Sequence, residues 1–291
     1  MTPETRAKLA ALGTELTPDM LGGTSRLMAA IAAPADPSVS ISRDQVYGPD
    51  TRNRLDIFTK DAPAGAPVLV YIHGGGFVMG DKTSEGSPFY DNVGQWAARQ
   101  GFVGVTMTYR LAPAHQWPSG PQDLAHAVSW LRAKIAGHGG NPDAIFLMGQ
   151  SAGAAHVAAY VSHGEYHPAG GAGIAGALML SCIFEPADQP RNQFSDAYYG
   201  TGADVLREAG CTAGLVASEV PLLLSVSELD ALDFQHQAAD FVAAWKAAKG
   251  TYPAMEFLAG HNHLTPAQAI GSVEDDLGPR AARFIARVMA G

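Results

Sequence analysis

Apolar residues change their rhythm along this chain of 291 residues. Over residues 5–33 they recur at helical spacing: Leu9, Leu12, Leu16, Met20, Leu27 and Ile31 stand among small and polar residues, and Pro34 and Pro37 close the stretch. Too short to enclose a core, it is expected to be an arm packed on something else. From Ser38 the period shortens. Residues 39–46 and 53–59 predict an antiparallel strand pair about a turn at Gly48, Pro49 and Asp50. Residues 68–72 and 101–107 are apolar almost throughout, as strands buried on both faces are. Further strands are predicted at 144–148, 177–183, 221–227 and 254–258, alternating with helices at 90–99, 122–135, 154–161, 234–249 and 280–289. This alternation predicts an α/β fold, with a mostly parallel central sheet, helices on both faces and the antiparallel pair at its N-terminal edge. One interval, 184–218, breaks the alternation with Pro186, Pro190, Asn192, the Tyr198, Tyr199, Gly200 cluster and Gly210. A connection that long is expected to be a lid or binding element over the C-terminal strand ends, where such sheets take ligands.

The totals then narrow the class. Hydrophobic residues make up 47% of the chain and charged ones 16%, enough apolar material for a large core. A net charge of −9 without any Lys/Arg cluster argues against a nucleic-acid partner. Cys182 and Cys211 are too few for a disulfide framework, and no C-x-x-C offers a metal or redox site. No apolar signal core follows the first residues, and no run reaches the roughly 18 apolar residues of a membrane span. The expected setting is soluble and cytoplasmic, with no membrane partner.

The chemistry gathers at loops that follow strands. Gly149, Gln150, Ser151, Ala152 and Gly153 fit G-x-S-x-G between an apolar strand and an Ala-rich helix, so Ser151 is expected at the tip of a strained turn. His73, Gly74, Gly75, Gly76 and Phe77 follow the strand at 68–72. Three glycines let backbone N–H groups approach a ligand oxygen, as an oxyanion hole requires. Neither G-x-G-x-x-G nor G-x-x-x-x-G-K-[ST] can be laid over residues 74–80, which excludes a nucleotide phosphate loop. His73 is read as fixing that loop. A serine nucleophile needs a base and an orienting acid, which follow it along the chain in the order acid, then histidine. The loop after 221–227 offers Glu228, Asp230 and Asp233, the last also suited to capping the next helix. The loop after 254–258 offers His261 and His263, with Thr265 placed to cap a helix and Pro266 at its first position. His126, His138, His156, His163, His167 and His236 are read as hydrogen-bonded or solvated.

The glycine loop, Tyr109-Arg110-Leu111-Ala112-Pro113 followed by Trp117-Pro118, and the serine pentapeptide together resemble the α/β-hydrolases of the hormone-sensitive-lipase-like carboxylesterase group and their bacterial and kynurenine-formamidase-like relatives. The likeness spans roughly residues 45–290 and implies the α/β-hydrolase fold. It implies Ser151, Asp230 and His263 as a catalytic triad and the amides of Gly75, Gly76 and Ala152 as the oxyanion hole. The Glu-x-Asp pattern favours Asp230, and the apolar Leu264 after it favours His263. The chain departs at Gln150, where many members carry Asp, and in the Asn262, His263, Leu264 setting. The implied activity is a serine carboxylesterase on small short-acyl esters, without cofactor or metal. An arylformamidase or amidase would use the same machinery, and a hydrolase-fold binding protein would lack it. One domain over 1–291 is expected, with cap elements from about 1–45 and 185–217.

Overall fold

The computed structural model describes residues 1–61 and 64–291. Two helices begin the chain, α1 (Pro3–Ala11) and α2 (Pro18–Ala29). Strands β1 (Ser40–Val46), β2 (Arg54–Thr59) and β3 (Ala66–Ile72) precede α3 (Asp91–Arg99), β4 (Val103–Met107), α4 (Ser119–Lys134), β5 (Gly140–Gln150), α5 (Ala152–Ser162) and β6 (Gly176–Leu180). Three short helices follow: α6 (Gln193–Tyr199), α7 (Ala203–Glu208) and α8 (Thr212–Ala217). The chain ends with β7 (Leu222–Leu229), α9 (Leu232–Lys249), β8 (Met255–Asn262), α10 (Thr265–Gln268) and α11 (Gly278–Ala290).

The strands form one sheet in the order β1-β2-β4-β3-β5-β6-β7-β8. Antiparallel pairing is confined to β1 with β2 and β2 with β4; the other neighbours are parallel. The expected antiparallel pair therefore lies at the N-terminal edge. Alternation along each strand sends side chains to opposite faces. On one face Val68, Val70, Ile72, Ile145 and Leu147 pack with Leu124, Val128 and Leu131 of α4 and Val157 of α5. On the other, Leu69, Tyr71, Phe146 and Met148 pack with Val93 and Trp96 of α3 and Phe284 and Ile285 of α11. Each such side chain, fully buried, stabilises the fold by about 1.5–3 kcal/mol relative to exposure.

Several boundaries differ from expectation. The helical spacing over 5–33 resolves into two helices: Thr17 turns the chain and caps α2 by accepting the Met20 N–H at 3.2 Å, with Pro18 next to it. The long interval is not structureless but holds α6, α7 and α8. Asn192 starts α6 with a capping box, its Oδ1 accepting from the N–H groups of Phe194 and Ser195. Strand β6 stops at Leu180, short of 183, because Ser181 (φ 49°) swings the chain out of the sheet. Strand β8 runs on to Asn262, paired with Leu229 after a shift in register, so His261 belongs to the strand and not to the loop. Thr265 is the first residue of α10 rather than its cap; Asn262 Oδ1 takes the N–H groups of Leu264 and Thr265 instead.

Candidate active site

Ser151 lies between the end of β5 and the start of α5 with φ 56° and ψ −120°, a strained region for a residue with a Cβ. The flanking glycines allow this because strand and helix nearly touch. A Cβ at Gly149 would lie 2.3 Å from Gly153 O, and one at Gly153 would lie 2.2 Å from Ile72 O. The turn is anchored by Ser151 N–H donating to Leu180 O at 2.9 Å. Beyond it α5 opens with Ala152, whose amide is at the positive end of the helix dipole.

Strand β3 delivers the glycine loop beside that turn. Gly75 (φ 123°) could not carry a side chain, since a Cβ there would lie 2.0 Å from Met79 O. None of the amides of Gly75, Gly76 and Ala152 donates to another group of the described residues. His73 lies behind the loop: its ring stacks on Tyr109 with centroids 4.4 Å apart, and its carbonyl accepts the Tyr109 hydroxyl at 2.9 Å. Burial pulls its pKa down to about 4, so the ring is neutral packing as expected.

The acid and histidine candidates separate by geometry. Asp230, after β7, takes the His263 ring at 2.7 Å between Oδ1 and Nδ1. Its Oδ2 accepts from the Ser181 hydroxyl and the Ser227 N–H, both at 2.7 Å. Glu228 instead takes the Gly260 N–H at 2.6 Å and pairs with Arg6 of α1; these bonds, the first foremost, hold its carboxyl below the usual range. Asp233 lies in the first turn of α9 without capping it. His261 binds Asp276 Oδ2 through Nε2 at 2.9 Å and Thr265 Oγ1 through Nδ1 at 3.0 Å. Burial keeps its pKa below the ordinary value although Asp276 opposes this.

His263 packs on Phe234, ring centroids 4.3 Å apart, and its Nε2 is buried without a partner among the described residues. Ser151 and His263 border the same cavity, of about 310 Å³, without a hydrogen bond between them. The amides of Gly75, Gly76 and Ala152 belong to residues of that cavity too. Its apolar wall comes from Leu16 and Leu21 of the arm, Ile183 after β6, Phe194 of the interval, and Phe234 and Leu264. A more open surface hollow beside Asp50, His115 and His126 contains none of these residues, and its Arg110 is committed to Asp123. Among the described residues no three His, Cys, Asp or Glu side chains gather as metal ligands, and no helix is long and apolar enough to cross a membrane.

Two features escaped the sequence. Ser181 reaches Asp230 from just beyond the end of β6; its only local signal is a hydroxyl after a strand's C-terminal end. His156 was expected to be hydrogen-bonded or solvated, but it is buried with Nε2 unpartnered, edged by Phe77, Tyr109 and Tyr198. The aromatic enclosure shuts out water, and burial pulls its pKa down to about 3.

A family model described as BD-FAE matches residues 55–167. Esterase LipC of Mycobacterium tuberculosis is 38% identical over 113 residues, 38% of this chain and 27% of that protein. Esterase LipQ of the same organism is 35% identical over 161 residues, 54% of this chain and 34% of that protein. The chain thus matches about a third or less of the length of these curated relatives. Esterase B from Lactobacillus rhamnosis, inhibited by a C4-C4 SN3 tributyrin phosphonate, superposes with a TM-score of 0.78 at 17% identity, over 100% of this chain and 97% of that one. An esterase from the bacterial hormone-sensitive lipase family gives 0.69 at 22% identity, over 99% and 95%. At such identities these likenesses show a common fold.

Proposed function

We propose that this chain, which has the fold of the esterases it superposes on and matches parts of curated esterases, has the activity of a serine carboxylesterase on short-acyl esters. Ser151 Oγ attacks the ester carbonyl while His263 Nε2 takes its proton. The carbonyl oxygen, now negative, is held by the amides of Gly75, Gly76 and Ala152. The C–O bond to the alcohol breaks as His263 returns the proton to the leaving oxygen, and an acyl-enzyme remains on Ser151. Water, deprotonated by His263, attacks that acyl group; the carboxylic acid leaves and Ser151 regains its proton. Asp230 holds the ring so that Nε2 faces the serine and offsets the positive charge it acquires.

The observation that carries this reading is the 2.7 Å pairing of buried Asp230 with His263, which lines the same cavity as Ser151 on its strained turn. The arm and the 185–217 interval act in it as the cap bounding the acyl and alcohol pockets. We place the protein in the cytoplasm, a reducing setting that suits the free, buried Cys182 and Cys211. Treatment with a fluorophosphonate followed by peptide mapping tests the proposal: modification of Ser151 with parallel loss of p-nitrophenyl butyrate hydrolysis is expected. Labelling elsewhere, or none, would overturn it.

A further inference from the structure

We infer that Gln150, between Gly149 and Ser151, is a positioning residue that holds His263 in register with the nucleophile. The inference rests on the hydrolase reading above and adds to it a residue of the cavity wall that takes no part in the proton transfer. Gln150 ends β5 and is 1% exposed. Its Nε2 donates to the backbone carbonyl of His263 at 2.8 Å, across 113 residues of sequence. On its other side the amide lies against the glycine loop: a Cβ at Gly74 would stand 2.5 Å from Gln150 Oε1. One side chain thus touches the serine turn it belongs to, the histidine loop and the loop of the oxyanion glycines.

Asp230 takes the ring at Nδ1 and Phe234 packs on its face, but neither contact fixes the backbone that carries it. Asn262 ties the residues after His263 through the N–H groups of Leu264 and Thr265, not His263 itself. The Gln150 bond is the tether on the His263 backbone, and only a donor can form it. An ionised aspartate at this position would be shorter and would offer acceptors alone. Misplacing a reacting group by about 1 Å costs on the order of 10²-fold in rate, so the tether acts on turnover more than on binding.

Two variants test this with p-nitrophenyl butyrate. Gln150→Met keeps the length and removes the donor; kcat is expected to fall about 10- to 100-fold with KM changed by no more than about threefold. Gln150→Glu restores a donor only when protonated, which burial against a carbonyl favours. The ratio of its kcat to that of the wild type is expected to rise as pH is lowered from about 9 to about 6. His263 and Asp230 face this site in both enzymes, so the wild-type profile is the reference against which the ratio is read. Of the other groups nearby, His73 behind Gly74 is neutral through burial and Tyr90 across the cavity is pushed above its ordinary range. A ratio independent of pH, or a Gln150→Met enzyme within about threefold of the wild-type kcat, would overturn the inference; if Gln150→Met does not fold, the ratio decides alone. A wild type that neither hydrolyses the ester nor takes fluorophosphonate at Ser151 refutes the hydrolase reading itself. An active, labelled wild type with unimpaired variants refutes only the role of Gln150.

Discussion

Ser151 is held in a backbone conformation that its flanking glycines and the sheet contacts enforce (φ 56°), so the hydroxyl can be removed without releasing the turn. Ser151→Ala is expected to lower ester turnover by about 10⁴-fold or more with the unfolding midpoint nearly unchanged. Near-wild-type turnover in a folded variant would exclude this serine as nucleophile. His263→Ala should be almost as damaging, because base and nucleophile act as one unit. His261→Ala should behave differently: it breaks bonds to Asp276 and Thr265, so thermal stability should drop while kcat changes little. Asp230→Asn, which favours the wrong imidazole tautomer, is expected to cost about 10⁴-fold in kcat. Asp233→Asn, in the open first turn of α9, should cost almost nothing. Reversal of either pair in steady-state kinetics would show that the wrong residue had been assigned.

Among the elements, α2 and α6 each contribute to the cavity wall, through Leu21 and Phe194. α2 is fastened to the histidine loop, Asn262 Nδ2 donating to Thr24 Oγ1 at 2.7 Å and Gln268 Nε2 to Ser25 Oγ at 3.0 Å. α6 brings Phe194 over the glycine loop, where a Cβ at Gly76 would be 3.1 Å from the Phe194 ring. Phe194 is 36% exposed, so it forms the cavity's outer wall rather than its floor. Each acyl methylene adds about 0.8 kcal/mol of binding only while there is room for it. In a cavity of about 310 Å³ walled in this way, kcat/KM over a p-nitrophenyl ester series is expected to peak at short acyl chains, roughly two to six carbons. Phe194→Ala, by opening the wall, should move the maximum to longer chains. A wild-type maximum at about ten carbons or beyond, or activation at an oil–water interface, would contradict this.

For the molecule as a whole, the buried neutral histidines link stability to pH. His73 and His156 titrate at about 4 and about 3 in the folded chain, against 6.5 for an unburied imidazole, because burial disfavours their charged forms. The unfolded chain therefore binds more protons below pH 6.5. Stability is full above that pH and falls as pH is lowered toward the folded values, by up to about 1.4 kcal/mol per pH unit for each histidine. Urea unfolding at pH 7.5 and 5 should show the loss, and His156→Leu should make the pH slope shallower; a slope unchanged by that substitution would refute the linkage. The same contrast between local and long-range causes explains what could be read in advance. Strand and helix order, the edge pair, the serine turn and the glycine loop were legible because periodicity and close backbone approach are properties of a few neighbouring residues. The choice of His263 over His261 came from the resemblance and not from the pattern: they are two residues apart, so strand alternation puts both on one side. What separates them is that β8 ends at Asn262, leaving His261 in the strand beside Asp276 and His263 beyond it, opposite Asp230. Likewise the bonds from Ser181 to Asp230 and from Gln150 to His263 span 49 and 113 residues. They exist only once β5, β6, β7 and β8 lie side by side in register, and no local pattern encodes where two distant strand ends will meet.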